Sequence, residues 1–275
     1  MRKIETLQEL QDILYSQLVE VDAFCRKHEL TYFLYAGTCL GAVRHKDFIP
    51  WDDDIDIAMS RPDYDRLLEI TKTEDISETL HLYTFERDEY YPYPFAKIAN
   101  TNTILTENMY KPFPMGLYID VFPIDGVPEK VEDQIKLFKK MESYKLMLFG
   151  TFGRYEKRGT GFWNYTLGCI GTFFMHRVYH VARRHYIKKI DQLARKIPFD
   201  DSSMVGNVLW AQAWQRENNK KESFFPVNDN GIFRDHNFFM PADIDTVMTK
   251  DYGNYMQLPP EDQRVHHDFE AYIKD

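Results

Sequence analysis

The chain has 275 residues, enough for one large domain or for a catalytic core with an extension. Hydrophobic residues make up 44%, sufficient for a sizeable core, and the net charge of -9 counts against a general nucleic-acid binder, which would carry a basic surface. Cys25, Cys39 and Cys169 form no CxxC pair, so a disulfide framework and a cysteine zinc site are not expected and a reducing compartment is.

The N-terminal MRKIETLQELQDIL has no apolar core and no small-residue cleavage site, so it does not read as a secretory signal. No window reaches the roughly 20 apolar residues of a membrane span, and a cytoplasmic protein is expected. Thr6-Leu7-Gln8-Glu9 is a capping-box pattern. Apolar residues then recur every three or four positions from Leu7 to Phe24, which predicts a helix to about Lys27.

Thr31–Tyr35 is rich in strand formers and stops at Gly37. Thr38 is expected to cap a short helix, TCLGAVRH. Asp53–Met59 alternates acidic and apolar residues and predicts a second strand, after which Ser60 caps a helix. HLYTFE, FAKIAN, NTILTE and LYIDVFPI predict further strands, separated by turn residues such as Pro92, Pro112 and Gly126. Helical periodicity runs from Glu129 to about Ile197. An α/β (α+β) class with a mixed sheet follows. The expected divisions are a catalytic core over 1–150, a helical insertion over 151–215, and a C-terminal segment over 216–275 that folds back on the core.

The stretch Trp51-Asp52-Asp53-Asp54-Ile55-Asp56-Ile57 carries the chemistry. On a strand, Asp52, Asp54 and Asp56 share one face, with backbones about 6–7 Å apart, while Ile55 and Ile57 turn to the core. Like charges so close repel unless a cation neutralises them, and an all-oxygen donor set favours Mg2+ or Mn2+ over zinc. A solvated acidic turn is the competing reading, which the apolar alternation opposes. Ala36-Gly37-Thr38 joins strand to helix, where backbone N–H groups are offered to a phosphate. Arg44 and His45 reach towards phosphate oxygens, whereas Lys46 equally suits a helix C-terminus. Asp120, between Ile119 and Val121, is a third carboxylate that ligates the metal, activates a hydroxyl, or both; a backbone-satisfied buried Asp is its bland alternative.

The run GTCLGAVRHKDFIPWDDDIDIAM resembles the signature of the LicD family of phosphocholine transferases, within the wider family that includes fukutin-related ribitol-phosphate transferases. YPYPFAKIANTNT (91–103), GLYIDVFPIDG (116–126), YGNYMQLPP (252–260) and RVHHDFEAY (264–272) are similar to it as well. The resemblance reaches both ends of the chain and is weakest around 130–220. It implies a nucleotidyltransferase-like mixed sheet core with a helical extension. It also implies transfer of phosphocholine from CDP-choline to a hydroxyl of a teichoic acid or other lipid-linked cell-surface glycan precursor, with release of CMP. The family's metal carboxylates match Asp54, Asp56 and Asp120, with Asp52 a further candidate. The cysteine-rich zinc insertion of the eukaryotic relatives has no counterpart here.

On this reading Gly37 and Thr38 hold a phosphate, and Arg44, His45 and Lys97 add positive charge. Lys97 interrupts an apolar run and has snorkelling to solvent as its alternative. A quaternary ammonium favours aromatic walls, for which Trp51, Tyr90, Tyr91, Tyr93 and Tyr118 are candidates; core packing competes for each. His266 and His267 are poor joint metal ligands but suit contact with a nucleotide or phosphate. Residues 162–189 pass from an aromatic half to a basic half, which suits peripheral contact with an anionic membrane as well as a core helix with a solvated face. Transfer of another CDP-alcohol's phosphate (ribitol, glycerol or ethanolamine), nucleotidyl transfer, and a non-catalytic nucleotide-binding regulator are the alternatives.

Overall fold

The computed structural model describes residues 1–107, 112–152, 170, 171, 173, 174, 179–264 and 269–274. The elements run β1 (Arg2–Lys3), α1 (Leu7–Lys27), β2 (Tyr32–Leu34), α2 (Ala36–Arg44), β3 (Asp56–Ser60), α3 (Arg61–Ile70), β4 (Leu80–Tyr83), β5 (Ala96–Asn100), β6 (Thr103–Glu107) and β7 (Tyr118–Val127). Then follow α4 (Val131–Phe152), α5 (Tyr179–Ala194), β8 (Met204–Gly206), α6 (Trp214–Glu217), β9 (Asn219–Lys220), α7 (Lys221–Phe224), β10 (Asn228–Phe233), β11 (His236–Met240), α8 (Ile244–Tyr252) and β12 (Phe269–Ile273).

The α/β expectation holds: helices cover a mixed sheet of order β2-β3-β7-β5-β4. Its parallel pair is β3 with β7, and β2, β5 and β4 join antiparallel. Such a sheet buries both faces, which explains why β3 and β5 read as nearly unbroken apolar runs. Ile57, Ala58, Met59, Ile98, Ala99, Ile119 and Val121 have no exposed surface. From α1, Leu14, Leu18 and Val21 enter the same core, each worth about 1.5–3 kcal/mol when fully buried. Thr6 caps α1 by accepting the Glu9 amide, the contact that the capping box predicts.

Two expectations shift. The acidic strand begins at Asp56, so Asp52 and Asp54 sit on the irregular segment leading into it rather than on one strand face. Thr38 does not cap α2: Tyr35 holds that position without a side-chain bond, and the Thr38 hydroxyl accepts the Asp56 amide at 2.8 Å instead. The NTILTE strand forms as expected, as β6, and lies outside the main sheet, paired with β12, whose other edge takes β1.

A buried ion network fastens α5 to the core. The Arg61 guanidinium, at the start of α3, donates both ways to Asp125 of β7 at 2.6 Å. Asp191 of α5 lies 3.5 Å from Arg61, and Arg195, the residue after α5, binds Asp65 of α3 at 2.6 Å. Fork-to-carboxylate geometry suits Arg and compensates part of the cost of dehydrating charge.

Candidate active site

Asp52, Asp54 and Asp56 line one cavity of about 330 Å³. Tyr35, Ala36 and Gly37 border it, which puts the N-terminus of α2 at the cavity wall. Ala36 adopts φ 45, a left-handed conformation that costs an L-residue about 1–2 kcal/mol. A Cβ on Gly37 would meet Asp52 Oδ2 at 3.0 Å, so the absent side chain is what lets the carboxylate approach this helix end. Gln11 of α1 fixes the Asp52 carbonyl at 2.8 Å.

The carboxylates are drawn together by the local chain path. Ligand oxygens of Asp52, Asp53 and Asp54 all lie within 4.8 Å of one another, so Asp53, largely buried, joins the cluster although it does not line the cavity. Asp56 stands in register with Asp120 on the neighbouring parallel strand, and the Asp120 amide donates to the Ile55 carbonyl at 2.9 Å. Desolvation, with repulsion from Asp54, Asp120 and Asp52, pushes the Asp56 carboxyl well above the ordinary carboxylate range, against the pull of Lys97. All-oxygen donors held this close under mutual repulsion fit a hard divalent cation. Asp52, Asp54 and Asp56 would hold it.

Lys97 lies beside Asp120 in register, and its ammonium binds that carboxylate at 2.5 Å. It does not snorkel: only 2% of it is exposed. The ammonium is 3.4 Å from the Tyr118 ring centroid and 4.5 Å from that of Tyr93. Two of the rings expected around a substrate cation therefore surround this cation of the chain itself. Tyr91 is in the core, donating its hydroxyl to the Phe95 carbonyl. Trp51 stacks under Arg264, with 4.7 Å from guanidinium carbon to ring centroid.

Arg44 and His45 lie at the far end of α2 and are not in the cavity lining. Arg44 donates to His45 Nε2 at 2.9 Å and to the Tyr255 carbonyl at 2.9 Å, fastening the segment after α8. Burial, then the neighbouring Arg44, lowers the His45 pKa, in keeping with a neutral ring accepting at Nε2. His266 and His267 lie outside the described residues.

The remaining lining is Phe122 together with Asn207, Trp210, Gln212, Ala213, Arg216, Glu217, Asp251 and Tyr252. Sequence reasoning missed these. Tyr252 opens one of the family-like segments and Asp251 precedes it, but 207–217 falls where the resemblance is weakest. Glu217 accepts the Gln212 and Ala213 amides at 2.8 and 2.5 Å, folding its own loop onto the cavity.

A mixed sheet that gathers carboxylates beside a helix N-terminus defines a class suited to binding a metal and a phosphate. Residues 29–149 match the family described as LicD/FKTN/FKRP, nucleotidyltransferase domain. The lipopolysaccharide cholinephosphotransferase LicD of Haemophilus influenzae is 33% identical over 279 aligned positions, covering 99% of this chain and 100% of that protein. The chain belongs to the LicD family. Shorter likenesses exist to uncharacterized proteins of Rickettsia prowazekii (39% identical, 21% of each chain) and Rickettsia typhi (40% identical, 18% of this chain and 16% of that one).

Proposed function

We propose that this protein is a phosphocholine transferase that moves phosphocholine from CDP-choline to a hydroxyl of a teichoic acid, lipopolysaccharide or other lipid-linked cell-surface glycan precursor, releasing CMP. The observation that carries the reading is the convergence of Asp52, Asp54 and Asp56 on one cavity at the α2 N-terminus, supported by full-length similarity to a lipopolysaccharide cholinephosphotransferase.

Phosphoryl transfer of this kind depends on positioning and on neutralising charge. Mg2+ or Mn2+, when bound, supplies Lewis-acid neutralisation of the diphosphate. Asp52, Asp54 and Asp56 would hold that cation, with Asp120 beside Asp56 on the next strand. The first-turn amides of α2, at Ala36, Gly37 and Thr38, have no acceptor within the helix and would be available to a phosphate oxygen. Lys97 pairs with the Asp120 carboxylate and holds it in place. Tyr35, Phe122, Trp210 and Tyr252 provide the aromatic surface that a quaternary ammonium favours.

A lipid-linked acceptor calls for approach to a membrane surface. Among the described residues no helix is long and apolar enough to cross a membrane. On α5, exposed Val181 accompanies Arg184 and Lys188, a pairing suited to peripheral contact with an anionic surface. Co-sedimentation with anionic vesicles and none with neutral ones is the expected result.

Calorimetric titration of CDP-choline, CDP-ribitol, CDP-ethanolamine and ATP, with and without Mg2+, tests the donor. Mg2+-dependent binding of CDP-choline, abolished in Asp54→Asn, is expected. Preference for another CDP-alcohol would move the substrate while keeping the site, and silence towards every nucleotide would leave a regulator as the better account.

A further inference from the structure

Asp251 occupies a place that the fold does not reward. It is the second-last residue of α8, where the helix dipole disfavours a negative charge. Glu217 of α6 adds a second negative charge nearby. Its Oδ1 is buried and has no hydrogen-bond partner among the described residues. A buried acceptor left without a donor costs about 1–3 kcal/mol. Three unfavourable features at one carboxylate, in the wall of the cavity that holds Asp52, Asp54 and Asp56, mark a group kept for chemistry.

Its neighbours are already engaged. Glu217 is committed to the Gln212 and Ala213 amides. Lys250 turns to the Asn218 carbonyl. Arg216 donates to the Asp251 main-chain carbonyl at 3.0 Å, which fixes the helix end and leaves the carboxylate to the cavity. Tyr252 on the same helix, with Tyr35 and Cys39 of the α2 region, completes the ionisable surroundings.

We infer that Asp251 is the general base of the transfer reaction: its carboxylate accepts the proton of the acceptor hydroxyl. The inference rests on the phosphocholine reading given above. As the proton leaves, the acceptor oxygen bonds to the phosphorus bearing choline, and the bond from that phosphorus to the bridging oxygen breaks, its electron pair departing with CMP. One proton is released per turnover and no oxidant or reductant is needed. Desolvation, then repulsion from Glu217, raises the Asp251 carboxyl to about 7, which suits a base working near neutrality. This also separates the roles of the acidic residues: the Asp52–Asp56 segment serves the metal and donor, and Asp251 serves the acceptor.

The test is Asp251→Asn, assayed with radiolabelled CDP-choline and, as separate acceptor probes, choline-free lipopolysaccharide and lipoteichoic acid. The expected result is a kcat fall of roughly 10²–10⁴-fold, with KM for CDP-choline and its calorimetric Mg2+-dependent binding unchanged. The wild-type rate should rise with pH through about 7, and that acid limb should vanish in the variant. Asp251→Glu should recover part of the rate. Retained wild-type rate and pH profile in Asp251→Asn, or loss of CDP-choline binding, overturns the inference while leaving the functional reading standing. A wild-type protein that transfers no phosphocholine to either probe overturns the reading and the inference with it.

Discussion

Asp56 and Asp120 stand side by side in register on the two parallel strands at the centre of the sheet, and Lys97 answers Asp120 from the next strand over. Two acids and one cation in a row across three strands leave an excess of acidic groups. That excess, added to Asp52 and Asp54, is what a divalent cation would neutralise.

Removing one carboxylate should separate function from stability. Asp54→Asn is expected to lower transfer activity by at least 10²-fold and to abolish the rise in melting temperature that Mg2+ or Mn2+ gives the wild type. Without metal the variant should melt no lower than the wild type, because like-charge repulsion has been relieved. Thermal melts with and without each cation check this, and a metal-free variant that melts well below wild type would contradict it.

Lys97 is expected to matter for folding as much as for activity. Lys97→Met leaves the Asp120 carboxylate without its counter-charge, and a loss of about 3 kcal/mol in denaturant unfolding is expected. The double variant Lys97→Met/Asp120→Leu should recover much of that stability while remaining inactive.

Gly37→Ala places a methyl group 3.0 Å from Asp52 Oδ2. Gly37 has an ordinary negative φ, so the backbone tolerates the change. A 10–100-fold drop in activity is expected with little change in melting temperature, since small displacements at a reacting centre are costly. Equal activity would show that Asp52 is not held by this contact.

Asp251 makes a prediction for stability that does not depend on any assay. Its carboxyl is raised to about 7 in the fold, against about 3.9 in an unfolded chain. The folded state therefore binds the extra proton between these values, and this group's contribution to stability falls as pH rises from about 4 to 7. Asp251→Asn lacks that loss, so its stability relative to wild type should grow across the same window and then level off. Urea unfolding at pH 4.5, 6 and 7.5 measures it.

The amphipathic and alternating segments were legible because burial imposes period: the α1 stripe, the Ser60 cap and the β5 and β7 runs all follow from local pattern. The exact start of β3 was not, because Asp53–Met59 alternates as a strand would while the sheet pairs only from Asp56. Asp52, Asp54 and Asp56 nevertheless meet in one cavity. The partners of Lys97 were hidden, since cross-strand register is a long-range property. Arg216, Glu217 and Asp251 come from short helices far along the chain, and no local spacing ties them to Asp54.

Ala36 carries a last consequence. Its left-handed backbone at the cavity edge is a conformation that glycine would adopt without penalty. Ala36→Gly should therefore raise melting temperature if relief of the steric penalty outweighs the added freedom of the unfolded chain, yet loosen the first turn of α2. Where that balance favours glycine, selection for thermostability alone would take up the substitution at the expense of the order that the first turn of α2 gives the cavity edge.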